Sequence, residues 1–181
     1  SDAYDGGMRN TAMNFFNSGL AEDDNREILI GPSTIGGIQL SRKVYVPADQ
    51  IFARFLEIAT NTSATTQTFT VPIYTNLGSD GRERFNMTSS GDAVVNTSDN
   101  WIITDDNFAG SSGGDPVGTH VVAGEGARVR PASFSGGNGA DILAIWYTAE
   151  TVNRDLVTDF VRGEDRLTSE LYDGPGSPPS W

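Results

Sequence analysis

The chain has 181 residues, a length that suits one domain with a sizeable core, and it carries a net charge of −12. Since nucleic-acid binding depends on Lys and Arg side chains that neutralise phosphates, this acidic balance argues against a nucleic-acid partner and against an anionic membrane surface. The absence of cysteine excludes disulfides and thiolate metal sites. No apolar run reaches the ~18 residues that a membrane span needs, so we expect no membrane insertion.

Glycine and proline are frequent, with 21 and 8 residues respectively. Together with long connections rich in Ser, Thr and Asn, they disfavour a helical fold and favour an all-β one, in which one face of each strand is buried. Residues 1–10 are polar and turn-like. The first two strands are predicted over Thr11–Asn17 and Glu27–Gly31, the second of them near the edge of a sheet.

The strongest strand signal lies in residues 38–77, where apolar and polar side chains alternate in three runs. Turn residues separate the runs, first Pro47 to Gln50 and then Asn61 to Ser63. The pattern predicts three consecutive antiparallel strands. The three runs are Ile38–Val46, Phe52–Thr60 and the segment that contains Phe69, Val71 and Ile73.

After residue 77 the predicted strands are shorter, and a long loop follows at residues 105–118. The apolar run Asp141–Glu150 indicates a central strand. We expect roughly ten to twelve strands in all, which favours a two-sheet antiparallel β-sandwich over residues 1–151. The predicted short elements are strands at Arg84–Thr88, Asp92–Asn96, Asn100–Thr104, Thr119–Ala123 and Ala127–Pro131, and a turn at Phe134–Asn138.

The spacing of apolar residues changes in the tail of the chain. Val152, Leu156 and Phe160 recur every four residues, and Leu167 and Leu171 follow after a break at Gly163. This spacing predicts two short amphipathic helices within residues 152–173. Residues 174–181 are rich in Pro, Gly and Ser and are predicted to be a linker, so we expect the chain to be one module of a larger polypeptide.

Calcium is the first candidate ligand, because Ca²⁺ prefers carboxylate, carbonyl and amide oxygens of the kind that acidic loops supply. Three acidic loops offer such oxygens, although none matches a twelve-residue EF-hand loop. Solvated acids at strand ends are the alternative explanation. The candidate ligands are Asp2 and Asp5 in the first loop, Asp99 in the second, and Asp105, Asp106, Asn107 and Asp115 in the third.

Carbohydrate is the second candidate ligand, since exposed aromatic rings can stack on sugars. Tyr74 and Trp101 are the aromatic candidates, although the strand position of Trp101 favours a place in the core. Arg42 and Arg54 complete the candidate binding residues, because each falls where its strand should be apolar. They either point into a groove or form buried inter-strand ion pairs, for example with Glu57.

Enzyme chemistry has the least support in the sequence. His120 is the only histidine, and neither a G-x-S-x-G nor an H-E-x-x-H motif is present. Pairs of acids are unavoidable among 24 Asp and Glu residues, so they do not indicate a glycosidase. We therefore expect a protein without catalytic activity.

A resemblance to known modules rests on two runs of residues. These are SRKVYVPADQIFARFLEIATNTSATTQTFTVPIYTNLGSDG at residues 41–81 and TSSGDAVVNTSDNWIITDD at residues 88–106. They resemble β-sandwich modules of very large bacterial secreted and cell-surface proteins and, more distantly, β-supersandwich domains beside carbohydrate-active catalytic domains. The resemblance implies an extracellular setting, a tandem-domain parent and a ligand or partner. Because the shared pattern is structural, it carries over no active-site residue.

These observations lead to one expected function and two alternatives. We expect a non-catalytic extracellular or cell-surface module with a structural or adhesive role in a larger surface, matrix or filament protein, with calcium as the stabilising ion. Its expected partners are neighbouring domains of the same polypeptide, further copies of itself, or glycans. The alternatives are a carbohydrate-binding accessory domain of a secreted enzyme and a self-assembling subunit whose tail docks on a neighbour.

Overall fold

A computed structural model describes residues 8–76, 84–105, 117–124, 127, 129–135, 142–151 and 155–159. In the last two of these ranges, side chains are described only for Ile145 and Tyr147. Strands are the main secondary structure of the described chain and all pair antiparallel, which confirms the all-β prediction.

Twelve strands and one 3₁₀ turn lie within the described residues. The strands are β1 (Arg9–Asn10), β2 (Leu20–Glu22), β3 (Glu27–Ile35), β4 (Ile38–Tyr45), β5 (Arg54–Asn61), β6 (Gln67–Asn76), β7 (Arg84–Thr88), β8 (Trp101–Asp105), β9 (Gly118–Val121), β10 (Pro131–Ser135), β11 (Ile142–Thr151) and β12 (Asp155–Asp159); the 3₁₀ turn is Asp23–Asn25.

The strands form three sheets, which we name A, B and C. Sheet A has the order β1-β6-β11-β10, sheet B has the order β12-β5-β4-β3-β2, and sheet C has the order β7-β8-β9. The predicted central position of the last apolar run is confirmed, because β11 lies between β6 and β10. The edge position predicted for Glu27–Gly31 is nearly right, since β3 has only the three-residue β2 outside it.

Gly36 and Gly37 connect β3 to β4 in a two-residue turn. Both have positive φ, 56° and 87° respectively, which L-residues with a Cβ adopt reluctantly. Tight hairpin turns need this backbone conformation, because it matches the twist of the flanking strands. The glycine pair therefore fixes the register in which Ile35 lies opposite Ile38.

A single hydrophobic cluster draws side chains from all three sheets. The alternation predicted for β4 and β6 places their apolar residues in this cluster, as expected. The fully buried members are Ile38, Leu40 and Ala59 from sheet B, Val71, Ile73, Ile145 and Tyr147 from sheet A, and Ile102 and Val122 from β8 and from the residue that follows β9.

The second predicted strand has the opposite inner face from the one expected. Its buried residues are Glu57, Ala59 and Asn61, so Arg54 lies on the other face of the sheet. The cause is the register between β4 and β5, which places Glu57 opposite the buried Arg42. Pairing of opposite charges inside the core outweighs the apolar pattern of the single strand.

Three short predicted elements are wrong. Thr11–Asn17 is a turn that follows β1, Asp92–Asn96 is a series of bends, and the strand predicted at Ala127–Pro131 instead begins at Pro131. That strand continues to Ser135 and so occupies part of the predicted turn at Phe134–Asn138. In the bends, Asp92 Oδ1 accepts a hydrogen bond from Val94 N at 2.9 Å, and such local bonds compete with strand pairing.

The helical tail is also wrong over Asp155–Asp159, which form the edge strand β12 against β5. Leu156 lies opposite Ala59, so pairing with an open sheet edge overrides the four-residue spacing that predicted a helix. The rest of the predicted helical region and the predicted linker, at 152–154 and 160–181, lie outside the described residues.

Candidate functional site

A buried ion pair between Arg42 and Glu57 joins the two central strands of sheet B. The two residues lie directly opposite each other in β4 and β5. Arg42 Nε donates a hydrogen bond to Glu57 Oε1 at 2.5 Å, and Arg42 Nη2 also contacts this oxygen. Only 11% of the Arg42 side chain and 1% of the Glu57 side chain are exposed. The inter-strand ion pair that the sequence suggested is therefore present.

The N-terminal segment adds two hydrogen bonds to this pair. Asn10 in β1 donates to Glu57 Oε2 at 2.7 Å, and Arg42 Nη1 donates to the carbonyl oxygen of Met8. The Arg42 guanidinium also lies 5.4 Å from the centre of the Phe55 ring. Because β1 is paired with β6, these contacts connect sheet A to the interior face of sheet B.

Tyr147 extends the polar interior towards sheet C. Its hydroxyl donates to the carbonyl oxygen of Val122 at 2.8 Å. Burial raises the pKa of Tyr147 well above its usual value, and the negative charge of Glu57 raises it further. The phenol is therefore a neutral hydrogen-bond donor that ties β11 to the residue after β9.

Arg54 belongs to a separate cluster of charges on the outer face of sheet B. It lies 3.4 Å from Glu27, and its guanidinium stacks 5.1 Å from the centre of the Tyr45 ring. Lys43 contacts Glu22 at 2.8 Å and Glu27 at 2.9 Å. Burial opposes the charge on Lys43, but the hydrogen bonds to the two glutamates outweigh it and raise the pKa of this lysine. The structure therefore does not bring Arg54 and Arg42 into one groove.

Asp99 is fully buried and stabilises the loop before β8. Its Oδ1 accepts hydrogen bonds from the hydroxyl of Ser90 at 2.9 Å and from the hydroxyl of Ser89 at 3.2 Å. Its Oδ2 accepts from the backbone N–H of Asn96 at 2.9 Å. Burial alone would raise the pKa of Asp99, but the hydrogen bonds from Asn96 and Ser90 lower it below its usual value. Both carboxylate oxygens thus have internal partners.

Arg130 closes the same loop from the side of sheet A. Its Nη2 donates to the carbonyl oxygens of Ser98 at 2.7 Å and Asp99 at 3.1 Å. Its Nη1 donates to Asn100 Oδ1 at 2.9 Å, and its Nε donates to the carbonyl oxygen of Thr97 at 3.3 Å. One guanidinium therefore binds four consecutive residues just before β8.

Of the predicted calcium ligands, the structure describes only Asp99 and Asp105. Asp105 ends β8 opposite Arg84 and is half-buried. Within the described ranges no three His, Asp or Glu side chains converge as metal ligands would. Calcium binding stays a prediction, and Asp2, Asp5, Asp106, Asn107 and Asp115 lie outside the described residues.

The two predicted aromatic residues lie on different sheets. Trp101 is half-buried in β8, opposite Val121. Tyr74 is half-buried in β6 and lies on the face that points away from Ile73 and the core. The structure therefore does not assemble a joint aromatic platform from Trp101 and Tyr74.

His120 is buried on β9, at one edge of sheet C, and shares a hydrogen bond with Thr104, Nε2 to Oγ1, at 2.9 Å. Gly118 leaves room for the ring, because a Cβ built there would lie 3.1 Å from His120 Nε2. Burial lowers the pKa of His120 to about 4. The ring is therefore neutral near pH 7 and supports the sheet as an uncharged group.

Sequence reasoning missed several residues of these networks. Asn10 gave no signal, because it lies in a segment with a turn-like composition and pairs with Glu57, 47 positions away. Arg130 likewise binds a loop about 30 positions earlier in the chain. Both residues are recognised only by their distant partners, which the tertiary structure shows. Asp99 was predicted as a calcium ligand; in the structure its oxygens accept hydrogen bonds from backbone and hydroxyl donors.

Comparisons with known proteins assign no family to the chain. No family model, curated protein or solved structure matches it. Among the described residues, no helix is both long enough and apolar enough to cross a membrane. The function therefore has to be argued from the contacts given above.

The Arg42–Glu57 pair gives a first testable prediction. Replacing Arg42→Met leaves Glu57 buried without its cation, so we expect the free energy of unfolding to fall by about 3–5 kcal/mol. The double variant Arg42→Met/Glu57→Leu should recover part of this loss, because no unpaired charge is left behind. Urea denaturation of the single and double variants measures the coupling.

Arg54→Met is the matched control for this cycle. It removes an arginine from a longer glutamate contact, 3.4 Å, on the outer face, where Lys43 still pairs with Glu27, so we expect a smaller loss than for Arg42→Met. Equal losses for Arg42→Met and Arg54→Met, or strict additivity of the Arg42 and Glu57 variants, would contradict a special role for the buried pair.

His120 gives a second prediction, on pH dependence. Its folded-state pKa of about 4 lies below the unfolded value of about 6.5, so the unfolded chain binds the proton first. The stabilisation is complete above pH 6.5 and is lost as the pH falls towards 4, by about 3 kcal/mol in total. Stability curves of the wild type and His120→Gln should therefore converge as the pH falls.

NMR titration of the wild type measures the pKa of His120 without a variant. Because the chain contains one histidine, its imidazole proton signals in NMR spectra are unambiguous. They should keep the neutral chemical shift down to about pH 5. A midpoint near 6.5 would show that the ring is accessible to water and would contradict the prediction.

Proposed function

We propose that this chain is a non-catalytic β-sandwich module that has a structural or adhesive role in a larger extracellular or cell-surface protein. Sheets A and B would pack face to face, and sheet C would close the core at the side. The shared hydrophobic cluster supports this arrangement, because it includes Val71 and Ile145 of sheet A with Leu40 and Ala59 of sheet B. The extracellular setting rests on the resemblance to secreted modules.

One observation carries the structural role: the first described strand is bound to both sheets. β1 pairs with β6 in sheet A, while Asn10 and Met8 bind Glu57 and Arg42 in sheet B. The last described strand, β12, is at the edge of sheet B. A load applied to the two ends of the chain would therefore pass through the buried ion pair.

The remaining charged groups of the interior support the same role. Asp99 and Arg130 direct their charged atoms at the loop before β8, and His120 is held neutral between strands. Such groups are oriented by internal partners and stabilise one arrangement of the sheets. This use of charge is typical of a scaffold.

Single-molecule stretching of the full chain between handles at its two ends tests the proposal. We expect residues 8–159 to open in one cooperative step that releases about 500 Å of chain, at ~3.3–3.6 Å per residue. Arg42→Met should lower the opening force, because it removes the Arg42–Met8 hydrogen bond and leaves the Asn10–Glu57 hydrogen bond without the balancing cation.

Arg130→Met is the matched control, since it removes an arginine network away from the first and last strands. It should change the opening force less than Arg42→Met does. If the N-terminal segment separates at low force before the rest of the chain opens, the segment bears no load and the proposed structural role is wrong.

Glycan binding is a second candidate function, favoured by one feature of sheet A. Tyr74 and the exposed Arg9 lie directly opposite each other, on the face that points away from the core. An aromatic ring beside a guanidinium on an open sheet face can stack on a sugar and donate to its hydroxyls. This would be the action of an accessory domain beside an enzyme.

A glycan array compares this candidate with the first one. Binding to a defined glycan should be lost in Tyr74→Ala and kept in Tyr45→Ala, whose ring lies on the outer face of sheet B under Arg54. An array without signal for the wild type, or equal loss in both variants, would remove the glycan-binding candidate.

A further inference from the structure

Sheet B carries a row of four apolar side chains that the described chain covers only in part. The row consists of Ala21, Ile28, Val44 and Phe55, which lie opposite one another in β2, β3, β4 and β5. Ala21 and Ile28 are exposed, Ile28 by 39%, while Val44 and Phe55 are half-buried. We call these four residues the apolar row.

The apolar row lies on the interior face of the sheet. Val44 and Phe55 are two positions from Arg42 and Glu57 along their strands and so share their face. The ion pair is buried by β1 and the core, whereas one step further along the strands the same face is only partly covered. Val46, which is 45% exposed, continues this open surface beyond β4.

The described chain ends beside this row. β12 runs antiparallel to β5, and its last residue, Asp159, lies opposite Leu56. Thr158 lies opposite Glu57, so the position after Asp159 is the one that the same register would place opposite Phe55. The chain that follows Asp159 therefore starts at one end of the apolar row.

The sequence after Asp159 has the features of a segment that could cover the apolar row. Leu167 and Leu171 are four positions apart, so in a helix they share one face. Glu164 and Asp165 precede them and Gly174-Pro175 follow, which are helix start and stop signals. A helix of about ten residues is marginally stable alone and needs an apolar surface on which to pack.

The width of the apolar row agrees with the length of such a helix. Four neighbouring strands span about 14 Å, at ~4.8 Å per strand spacing. A helix of about ten residues is about 15 Å long, at ~1.5 Å per residue. We propose that residues 160–173 of the same chain dock on the apolar row, with Phe160 against Phe55 and the two leucines over the neighbouring strands.

A pair of charge variants in the full chain tests this proposal. Leu167→Asp/Leu171→Asp should lower the melting temperature by about 5 °C or more, since two apolar side chains leave the row. Thr168→Asp/Ser169→Asp adds the same two charges at positions off the leucine face and should leave the melting temperature nearly unchanged. Equal shifts in the two double variants would overturn the proposal.

A double-mutant cycle then locates the contact. In an Ile28→Asp background, the leucine double variant should have little further effect. Leu20→Asp is the control background, because Leu20 lies opposite Leu29 on the other face of sheet B. In that background the leucine double variant should keep its full effect on the melting temperature. Ile28→Ser takes the place of Ile28→Asp if the latter does not fold. Full additivity with both Ile28 variants would show that the tail does not touch the row.

The oligomeric state separates docking within one chain from docking on a second copy. We expect a monomer in light scattering with a melting temperature that does not depend on protein concentration. A dimer that the leucine variant dissociates would assign the row to a second copy and overturn docking within the chain. The test is independent of the stretching experiment, because the row and the β1 contacts involve different residues.

Discussion

The buried Arg42–Glu57 pair is the constraint on which the rest of the structure depends. A charged pair inside a core is tolerated only if each remaining polar atom finds a partner. Here those partners come from β1, through Asn10 and the carbonyl oxygen of Met8. The N-terminal strand is therefore held in place by the hydrogen-bonding needs of sheet B as well as by its own pairing with β6.

The polar groups near sheet C also find their partners inside the fold. Asp99 accepts hydrogen bonds from its own loop, Arg130 binds four consecutive residues of that loop, and Tyr147 donates to Val122. Each contact joins elements that are distant in sequence or fixes the loop between them. Because these groups are buried or half-buried, they specify one arrangement more than they add net stability.

Sheet B shows how position decides the role of similar residues. Arg42 and Arg54 both contact a glutamate and both lie over an aromatic ring. Arg42 does so in the interior, where loss of its partner would leave a buried charge, whereas Arg54 does so on the outer face, where Lys43 shares the same glutamate. The interior face also ends in the apolar row, so one sheet combines a buried core with a surface that is only partly covered.

The sequence by itself determined the all-β class, the alternation of β4 and β6 and the central apolar strand, because these follow from local periodicity. It could not determine the inner face of β5, the strand at Asp155–Asp159 or the partners of Asn10 and Asp99. Those depend on register and on contacts across dozens of residues, which no local pattern contains. Only the tertiary structure decided that Arg42 and Arg54 contact glutamates and that Asp99 accepts hydrogen bonds from its own loop, since a buried charge must find its partner inside the fold.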